Sequence, residues 1–528
     1  MGFQFSLPKN FRSTAVLLSA SALALAACEQ VGTGDNPANA LVEFCSSPAA
    51  MPTGFDYPQS AEILADWTAE RNEAKAREHG WNLFAGLQQD AGGQWTWRSW
   101  CTARQAFDGQ VAAADPAAGS EPAKLAATAS VHGNLPMRAF KLDNGPTTGD
   151  EPINFDPAPQ YAIPQPVLDW LAEEGKTEAC VIPASGNNSA SLAHGPQFQN
   201  NGDVMVAGVI YNQDAYDWIR KEQLYQPATL ESLLPASDKT AQIAALPSGS
   251  IVLKPMMWPV PKDGVSALPL WDDYYKPDGG QYAGFEIQRQ WNRAVAVSLG
   301  EAEVPERLTF LEKAGVTLGG ARLGPNVYDE FETVGIDQFY HFEPDVGSMD
   351  ACDRAILDQS AYYAYGRTFQ QGDALALVAM HIMTKEQPSW TFQSVWWSDR
   401  PDEGMHAANR PDLPDAKGPW RHYLMTSTYG WPEEKGGSTW PIAYNPYIEL
   451  AAAHPVATNC QNCHARAAWP NANNQGYLAP DGPGALDVFS YDGNAIFNGL
   501  IGVDSLWSLS DRVPVPKDKP TAAPSPAP

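Results

Sequence analysis

Cys460-Gln461-Asn462-Cys463-His464 is the segment that most restricts the possible folds, because it predicts a large prosthetic group that the chain must enclose. Two thiols separated by two residues reach the two vinyl groups of one porphyrin, and the adjacent histidine then lies beneath the iron as its proximal ligand. The spacing therefore predicts one covalent haem c, attached through Cys460 and Cys463 and bound to iron by His464.

Two other chemistries use the same pair of cysteines. Half of a zinc site would need two more nitrogen or sulfur ligands, and the sequence holds no second C-x-x-C. A redox dithiol would favour a thioredoxin-like βαβ context. Neither chemistry requires the histidine, so haem attachment accounts for more of the motif.

The start of the chain has the pattern of an export signal. Lys9 and Arg12 form a short basic region, and residues 15–27 are apolar but too few to span a membrane as a mature helix. Export would deliver the chain to an oxidising compartment, where c-type haem proteins are assembled and disulfides persist.

The signal ends in Leu25-Ala26-Ala27-Cys28, which resembles a bacterial lipobox. This predicts a lipoprotein signal peptide at 1–27 and lipidation of Cys28. Glu29, where an aspartate would retain the protein in the inner membrane, favours the outer membrane by resemblance to Gram-negative lipoproteins. The expected location is therefore the periplasmic face of a bacterial membrane. The alternative is an ordinary secretory peptide that leaves Cys28 a plain thiol.

Four further cysteines remain after the lipobox and the haem motif are set aside, and they allow three pairings. We predict disulfides Cys45–Cys101 and Cys180–Cys352, because these pairings join the N-terminal region to itself and avoid crossing loops. The alternative is four free buried thiols, which are less common in exported proteins.

The chain is strongly acidic, with a formal net charge of −27, while 44% of its residues are hydrophobic. This charge disfavours nucleic acid and anionic membrane surfaces as partners. It favours a periplasmic redox protein with a basic docking patch. Attachment to the membrane is expected through the lipid anchor alone, since no other run approaches 18 apolar residues.

The expected fold class is α+β, with a β-rich body of antiparallel strands and a C-terminal helical or irregular segment that binds c-type haem. The 43 glycines, 45 prolines and 18 tryptophans favour short strands and irregular loops over a helical bundle. The expected organisation is a signal peptide at 1–27, a tether at 28–45, an α+β body at 46–450 that could hold two subdomains, a haem-binding segment at 451–511 and a disordered tail at 512–528.

Hydrophobic periodicity predicts the main elements of the body. Helical patterns cover 60–87 and 213–224, and strand patterns cover 203–211, 250–257, 375–383 and 391–397. The last two strands should form an antiparallel hairpin. Alternation along the first of them places Met380 and Ile382 on one face and His381 and Met383 on the other.

Several segments resemble a known family when they are taken together. They are Tyr211-Asn212 with Ala215-Tyr216-Asp217-Trp218-Ile219, then 247–254, 379–385 and 390–397, followed by one late C-x-x-C-H. This order, over roughly 205–470, resembles a little-characterised family of bacterial exported monohaem c-type cytochrome-like proteins. The resemblance implies haem and export but no substrate. Such proteins often carry Phe-Glu-His after the second strand, where this chain has Val395-Trp396-Trp397-Ser398, so no role of that histidine is carried over.

The distal ligand of the iron is the next open question, because no methionine or histidine follows His464. A protein ligand must therefore come from earlier in the chain. A histidine in so apolar a strand is costly unless it is hydrogen-bonded or ligates a metal, so we rank His381 first. Met425, in an aromatic stretch before the motif, ranks second. Ordinary core roles are the alternative for both, and the remaining candidates are Met383, Met405, His406, His422 and His454.

The distal ligand also decides between the functions that the sequence allows. An iron with two protein ligands suits electron transfer, whereas an open position allows O₂, peroxide, NO or CO to bind. A single haem without a recognisable catalytic constellation favours an electron carrier, and no catalytic residue is assigned. The alternative is a haem enzyme of peroxidase- or oxygenase-like type, for which the large body would form the pocket. The third hypothesis is a binding or sensor module in which the haem has a structural role.

Overall fold

A nine-stranded antiparallel sheet organises the part of the chain that the computed structural model describes. The described residues are 48–108, 160–184, 189–237, 239–271, 291–311, 313, 315–318, 321–429, 443–448, 460–465, 467–470 and 498–515. All of them fall within one unit, 42–528. The predicted signal peptide, the lipidation site Cys28, the tether and residues 516–528 of the predicted tail lie outside these ranges.

The helices in these ranges vary from 4 to 15 residues. They are α1 (Ala61–Glu70), α2 (Glu73–Leu87), α3 (Ala103–Phe107), α4 (Gln165–Glu173), α5 (Thr177–Cys180), α6 (Gln213–Lys221), α7 (Pro227–Leu233), α8 (Ala351–Tyr365), α9 (Cys460–Ala465) and α10 (Trp507–Arg512).

Most of the strands are short, and the longest ones belong to the large sheet. They are β1 (Cys101–Thr102), β2 (Gln160–Tyr161), β3 (Val181–Ile182), β4 (Ser191–Leu192), β5 (Gln199–Asn200), β6 (Val206–Ala207), β7 (Ile210–Tyr211), β8 (Ala241–Gln242), β9 (Ile251–Val260), β10 (Ser266–Leu270), β11 (Arg293–Ser298), β12 (Leu308–Phe310), β13 (Val316–Leu318), β14 (Ala321–Arg322), β15 (Asn326–Tyr328), β16 (Glu332–Gly335), β17 (His341–Phe342), β18 (Ala374–Thr384), β19 (Thr391–Trp397), β20 (Tyr423–Tyr429), β21 (Ala468–Trp469) and β22 (Ile501–Gly502).

The large sheet has the strand order β1-β7-β9-β18-β19-β20, with β5, β6 and β17 paired at its sides. All of its pairings are antiparallel. The strands predicted at 250–257, 375–383 and 391–397 and the β18–β19 hairpin are therefore confirmed, as is the mixed α+β class. The single strand predicted at 203–211 is wrong, because the chain forms two short strands there, β6 and β7, separated by Gly208 and Val209. All eleven residues of the central strand β18 are buried. Each large apolar side chain buried there contributes about 1.5–3 kcal/mol.

The pattern at 60–87 forms two helices, not one continuous helix. Ser60 caps α1 by accepting a hydrogen bond from the backbone N–H of Ile63, and α1 ends at Arg71 in the left-handed conformation, φ 54°. Asn72 then caps α2. A left-handed residue followed by a new N-cap changes the direction of the chain. The spacing of apolar residues does not predict such a turn.

Helix α2 packs closely on one face of the sheet. A Cβ atom on Gly80 would lie 2.9 Å from both Met425 Sδ and Gln393 Cγ, so only glycine allows this approach. Met380 shares this face, and the Gln88 amide lies 3.9 Å from its sulfur. The opposite face of the hairpin, with Met383 and Phe392, belongs to a second buried cluster that includes Cys460. The predicted alternation of faces is confirmed.

One of the two predicted disulfides is present among the described residues. Cys180 and Cys352 join α5 to α8, with their Cα atoms 5.1 Å apart. Closing a loop of 172 residues stabilises the fold by about 5 kcal/mol in the chain-entropy limit. Cys101 is also disulfide-bonded, and its predicted partner Cys45 lies outside the described residues.

Within the described ranges, no helix combines the length and the apolarity that crossing a bilayer demands.

Candidate functional site

The C-x-x-C-H motif forms the short helix α9. The backbone N–H of Cys460 donates to Ala443 O at 2.9 Å, which fixes the start of the helix, and the Cys460 side chain is buried. His464, one turn later, is partly buried. The backbone of Cys463 belongs to the same helix, while its side chain lies outside the described set. One helical turn therefore carries all three residues predicted to hold haem.

His381 lies directly beside this helix although it is 79 residues away in sequence. Its Nδ1 is 3.5 Å from Cys460 Sγ, and its ring centroid is 5.2 Å from that of His464, with the planes inclined by 31°. Phe392 stacks on His381 at 5.8 Å and lies 5.4 Å from His464. The first-ranked distal candidate and the predicted proximal ligand are thus neighbours.

The hydrogen bonds of His464 fix which ring nitrogen remains for a metal. Its Nδ1 lies 2.7 Å from Ser505 O. A carbonyl oxygen only accepts, so Nδ1 carries the proton and donates, which leaves the lone pair on Nε2. Metal-binding histidines are commonly oriented by such a bond to a backbone carbonyl.

His381 has the complementary feature. Its Nε2 is buried and has no hydrogen-bond partner among the described residues. An orphaned polar atom of this kind costs about 1–3 kcal/mol, so a buried orphan calls for a ligand or another compensating contact.

Both rings are neutral at pH 7. Burial lowers the pKa of His381 well below its usual value, and the nearby His464 and Lys254 lower it further. Burial lowers the pKa of His464 to about 4, although the bond to Ser505 acts in the opposite direction. Neutral imidazole is the form that ligates metals.

Met425, the second-ranked candidate, lies on the other face of the sheet. It pairs with Val395 on β19, and its sulfur faces Gly80 of α2. His381 instead pairs with Ser394, one position along, so its side chain leaves the opposite face. The sheet thus separates Met425 from His464.

The remaining candidates are spread over several environments. Met383 shares the buried cluster of Cys460. His406 Nε2 lies 2.9 Å from the hydroxyl of Tyr444. His422 belongs to the turn that leads into β20, Met405 is exposed, and His454 lies outside the described residues.

A second buried polar cluster occupies the α2 face of the sheet. His79 Nδ1 lies 2.8 Å from the Tyr429 hydroxyl, which also accepts from the Gln393 amide at 2.9 Å. His79 Nε2 is 3.3 Å from Glu386 Oε1, close enough for an ion pair but without hydrogen-bond alignment. Both side chains are fully buried, so this cluster serves packing of α2 on the sheet and offers no exposed catalytic group.

His381 and His464 could supply nitrogen ligands to a haem iron, and Cys460 and Cys463 the two thiols. The distance between the two histidine rings is the one feature that does not match. If His381 and His464 both bound one metal, their ring centroids would be about 6 Å apart, because a metal–nitrogen bond is about 2 Å long. The observed 5.2 Å is shorter. Binding of one haem iron by both histidines would therefore need their rings further apart than they are in this structure. Among the described side chains, no group of three or more His, Cys, Asp or Glu is arranged for a bare metal ion.

Sequence reasoning missed Ser505 and Lys254. Ser505 acts through its backbone carbonyl, which any residue possesses, so no side-chain signal marks it. Lys254 is brought opposite His381 by the register of β9 on β18, and a bulge between Leu377 and Ala379 shifts that register.

Comparison with family models, curated proteins and solved structures found no match to this chain.

Proposed function

We propose that this chain is an exported monohaem c-type cytochrome that transfers electrons. Cys460 and Cys463 would form the thioethers, His464 would be the proximal ligand and His381 the distal ligand. The observation that carries the proposal is the buried Nε2 of His381, which lies beside His464 and has no hydrogen-bond partner among the residues that the structure describes. When bound, haem supplies reversible one-electron chemistry at iron.

The side chains of this site favour an electron carrier over an enzyme that activates oxygen. His381 and His464 each present one ring nitrogen, which would leave no open position for a substrate. Phe392 contacts both rings, His381 is buried and His464 is partly buried, so both rings are largely shielded from water. A dry site with fixed ligands lowers the reorganisation needed for electron transfer.

The proposed location is the periplasmic face of the outer membrane, through lipid on Cys28. Cys28→Ser should move the protein from the membrane fraction to the soluble periplasm, because the lipid would be its only strong attachment. Fractionation followed by immunoblotting measures this. The matched control is Cys28→Ala, which should behave identically, and membrane partitioning unchanged in both variants would rule out the lipid anchor.

The proposed partner is a periplasmic redox protein with a basic docking patch, since this chain carries a net charge of −27. The ferrous protein should reduce a small basic cytochrome c in stopped-flow mixing. We expect the rate to fall about tenfold or more between low and physiological salt, because opposite charges steer the encounter.

The matched control is the same basic cytochrome with its lysines acetylated, which removes positive charge at the docking surface. It should react slowly and with little dependence on salt. Absence of electron transfer to either form would contradict the carrier function, while equal rates for both forms would contradict the charge-steered partner alone.

A further inference from the structure

The carbonyl that holds His464 is presented by an unusual backbone. Asp504 and Ser505 are consecutive residues in the left-handed region, with φ 47° and 68°. Residues with a Cβ rarely adopt this conformation, and it persists where the surroundings over-determine it, often at functional sites. The conformation turns Ser505 O toward His464 Nδ1, 2.7 Å away.

Asp504 provides the restraint, because its carboxylate accepts three hydrogen bonds. The Lys385 ammonium donates to Oδ1 at 2.6 Å, the Trp390 indole donates to Oδ1 at 3.1 Å, and the backbone N–H of Leu246 donates to Oδ2 at 2.8 Å. Lys385 is itself buried and also donates to Pro388 O at 2.6 Å. Buried ion pairs with further hydrogen bonds have fixed geometry.

Both donors from side chains belong to the connection between β18 and β19. Lys385 directly follows β18, the strand that carries His381, and Trp390 directly precedes β19. Trp390 is another residue with positive φ, at 62°. The β18–β19 hairpin thus carries His381 on its first strand. Its connecting residues Lys385 and Trp390 hold Asp504, and the next residue, Ser505, holds His464.

We propose that Asp504, held by Lys385 and Trp390, is a positioning residue that aims the Ser505 carbonyl at His464 and so tunes the electron density that His464 gives to iron. This inference rests on the proposed haem function. A histidine whose Nδ1–H is donated to a fixed carbonyl is a more basic ligand, which favours Fe(III) over Fe(II). Loosening the carbonyl should therefore favour Fe(II).

The test compares reduction potentials of the full-length holoprotein and its Asp504→Asn and Trp390→Phe variants. Asp504→Asn preserves side-chain volume, and Trp390→Phe removes one of the three bonds. We expect Asp504→Asn to shift the Fe(III)/Fe(II) equilibrium about threefold to tenfold toward Fe(II), or about 30–60 mV at 59 mV per tenfold change. Trp390→Phe should give a smaller shift of the same sign. The His464 Nδ1–H, followed by NMR, should exchange faster with solvent in both.

The matched control is Asp373→Asn at the other end of β18. Asp373 is a buried carboxylate that accepts from Arg367 at 2.6 Å and from the backbone N–H of Lys262 at 2.8 Å. Its loss should lower stability without changing the potential or the exchange of the His464 proton. If the loss of any ion pair with a carboxylate were enough to change the reduction potential, Asp504→Asn and Asp373→Asn would change it equally.

A potential and an exchange rate unchanged in Asp504→Asn and Trp390→Phe would overturn the positioning role while leaving the proposed function intact. If Asp504→Asn does not retain haem, Trp390→Phe decides alone. Wild-type protein without covalent haem would instead refute the proposed function itself.

Discussion

We expect His381→Ala to convert the proposed haem from a low-spin to a high-spin species and to let its ferrous form bind CO. The reason is that His381 Nε2 is buried beside His464 and has no hydrogen-bond partner among the described residues, so its removal would open the distal side of a haem iron bound by His464. Absorption spectra of ferric protein and of ferrous protein with CO measure the change.

Two companion variants sharpen this result. Met425→Leu keeps the volume of a buried side chain on the α2 face and should leave the spectrum unchanged. His381→Met should restore a six-coordinate haem with a higher reduction potential, because thioether ligation raises it. If Met425→Leu became high-spin while His381→Ala stayed low-spin, the ranking of the two residues would be reversed.

Replacing both Cys460 and Cys463 with serine should abolish covalent haem. Each thioether uses one of these sulfurs, and serine keeps nearly the same size without forming that bond. Denaturing electrophoresis with haem staining should show strong signal in wild type and none in the double variant. Each single variant should retain a reduced signal through its remaining thioether.

The matched control is Cys180→Ser with Cys352→Ser, which removes two cysteines far from α9 in sequence. It should lower stability but keep covalent haem in the protein that folds. Haem that remained covalently bound to the Cys460/Cys463 double variant would show that another residue attaches it.

The hairpin could be predicted from sequence because its apolar residues alternate with a period of two. This pattern gave the faces of His381 and Met380 correctly, and the run 391–397 matched β19 at both ends. The Cys180–Cys352 disulfide was also predicted, by elimination and chain order. These features depend on local pattern or on the few cysteines present.

Other features depend on long-range packing that no pattern encodes. The break at Arg71 comes from one left-handed residue inside a continuous apolar repeat. The closeness of His381 to His464 was proposed from chemistry, but its geometry depends on where α9 docks. The restraint on Ser505 joins three separate segments through Asp504, and sequence gives no signal for a contact made by a backbone carbonyl.

The absorption spectrum of purified ferrous wild-type protein, recorded with and without CO, tests the central claim most directly. Ligation by His381 and His464 predicts a low-spin spectrum that CO does not change. A high-spin spectrum with a Soret band that shifts on adding CO would contradict this assignment, exclude both His381 and Met425 as distal ligands and place a haem enzyme ahead of an electron carrier.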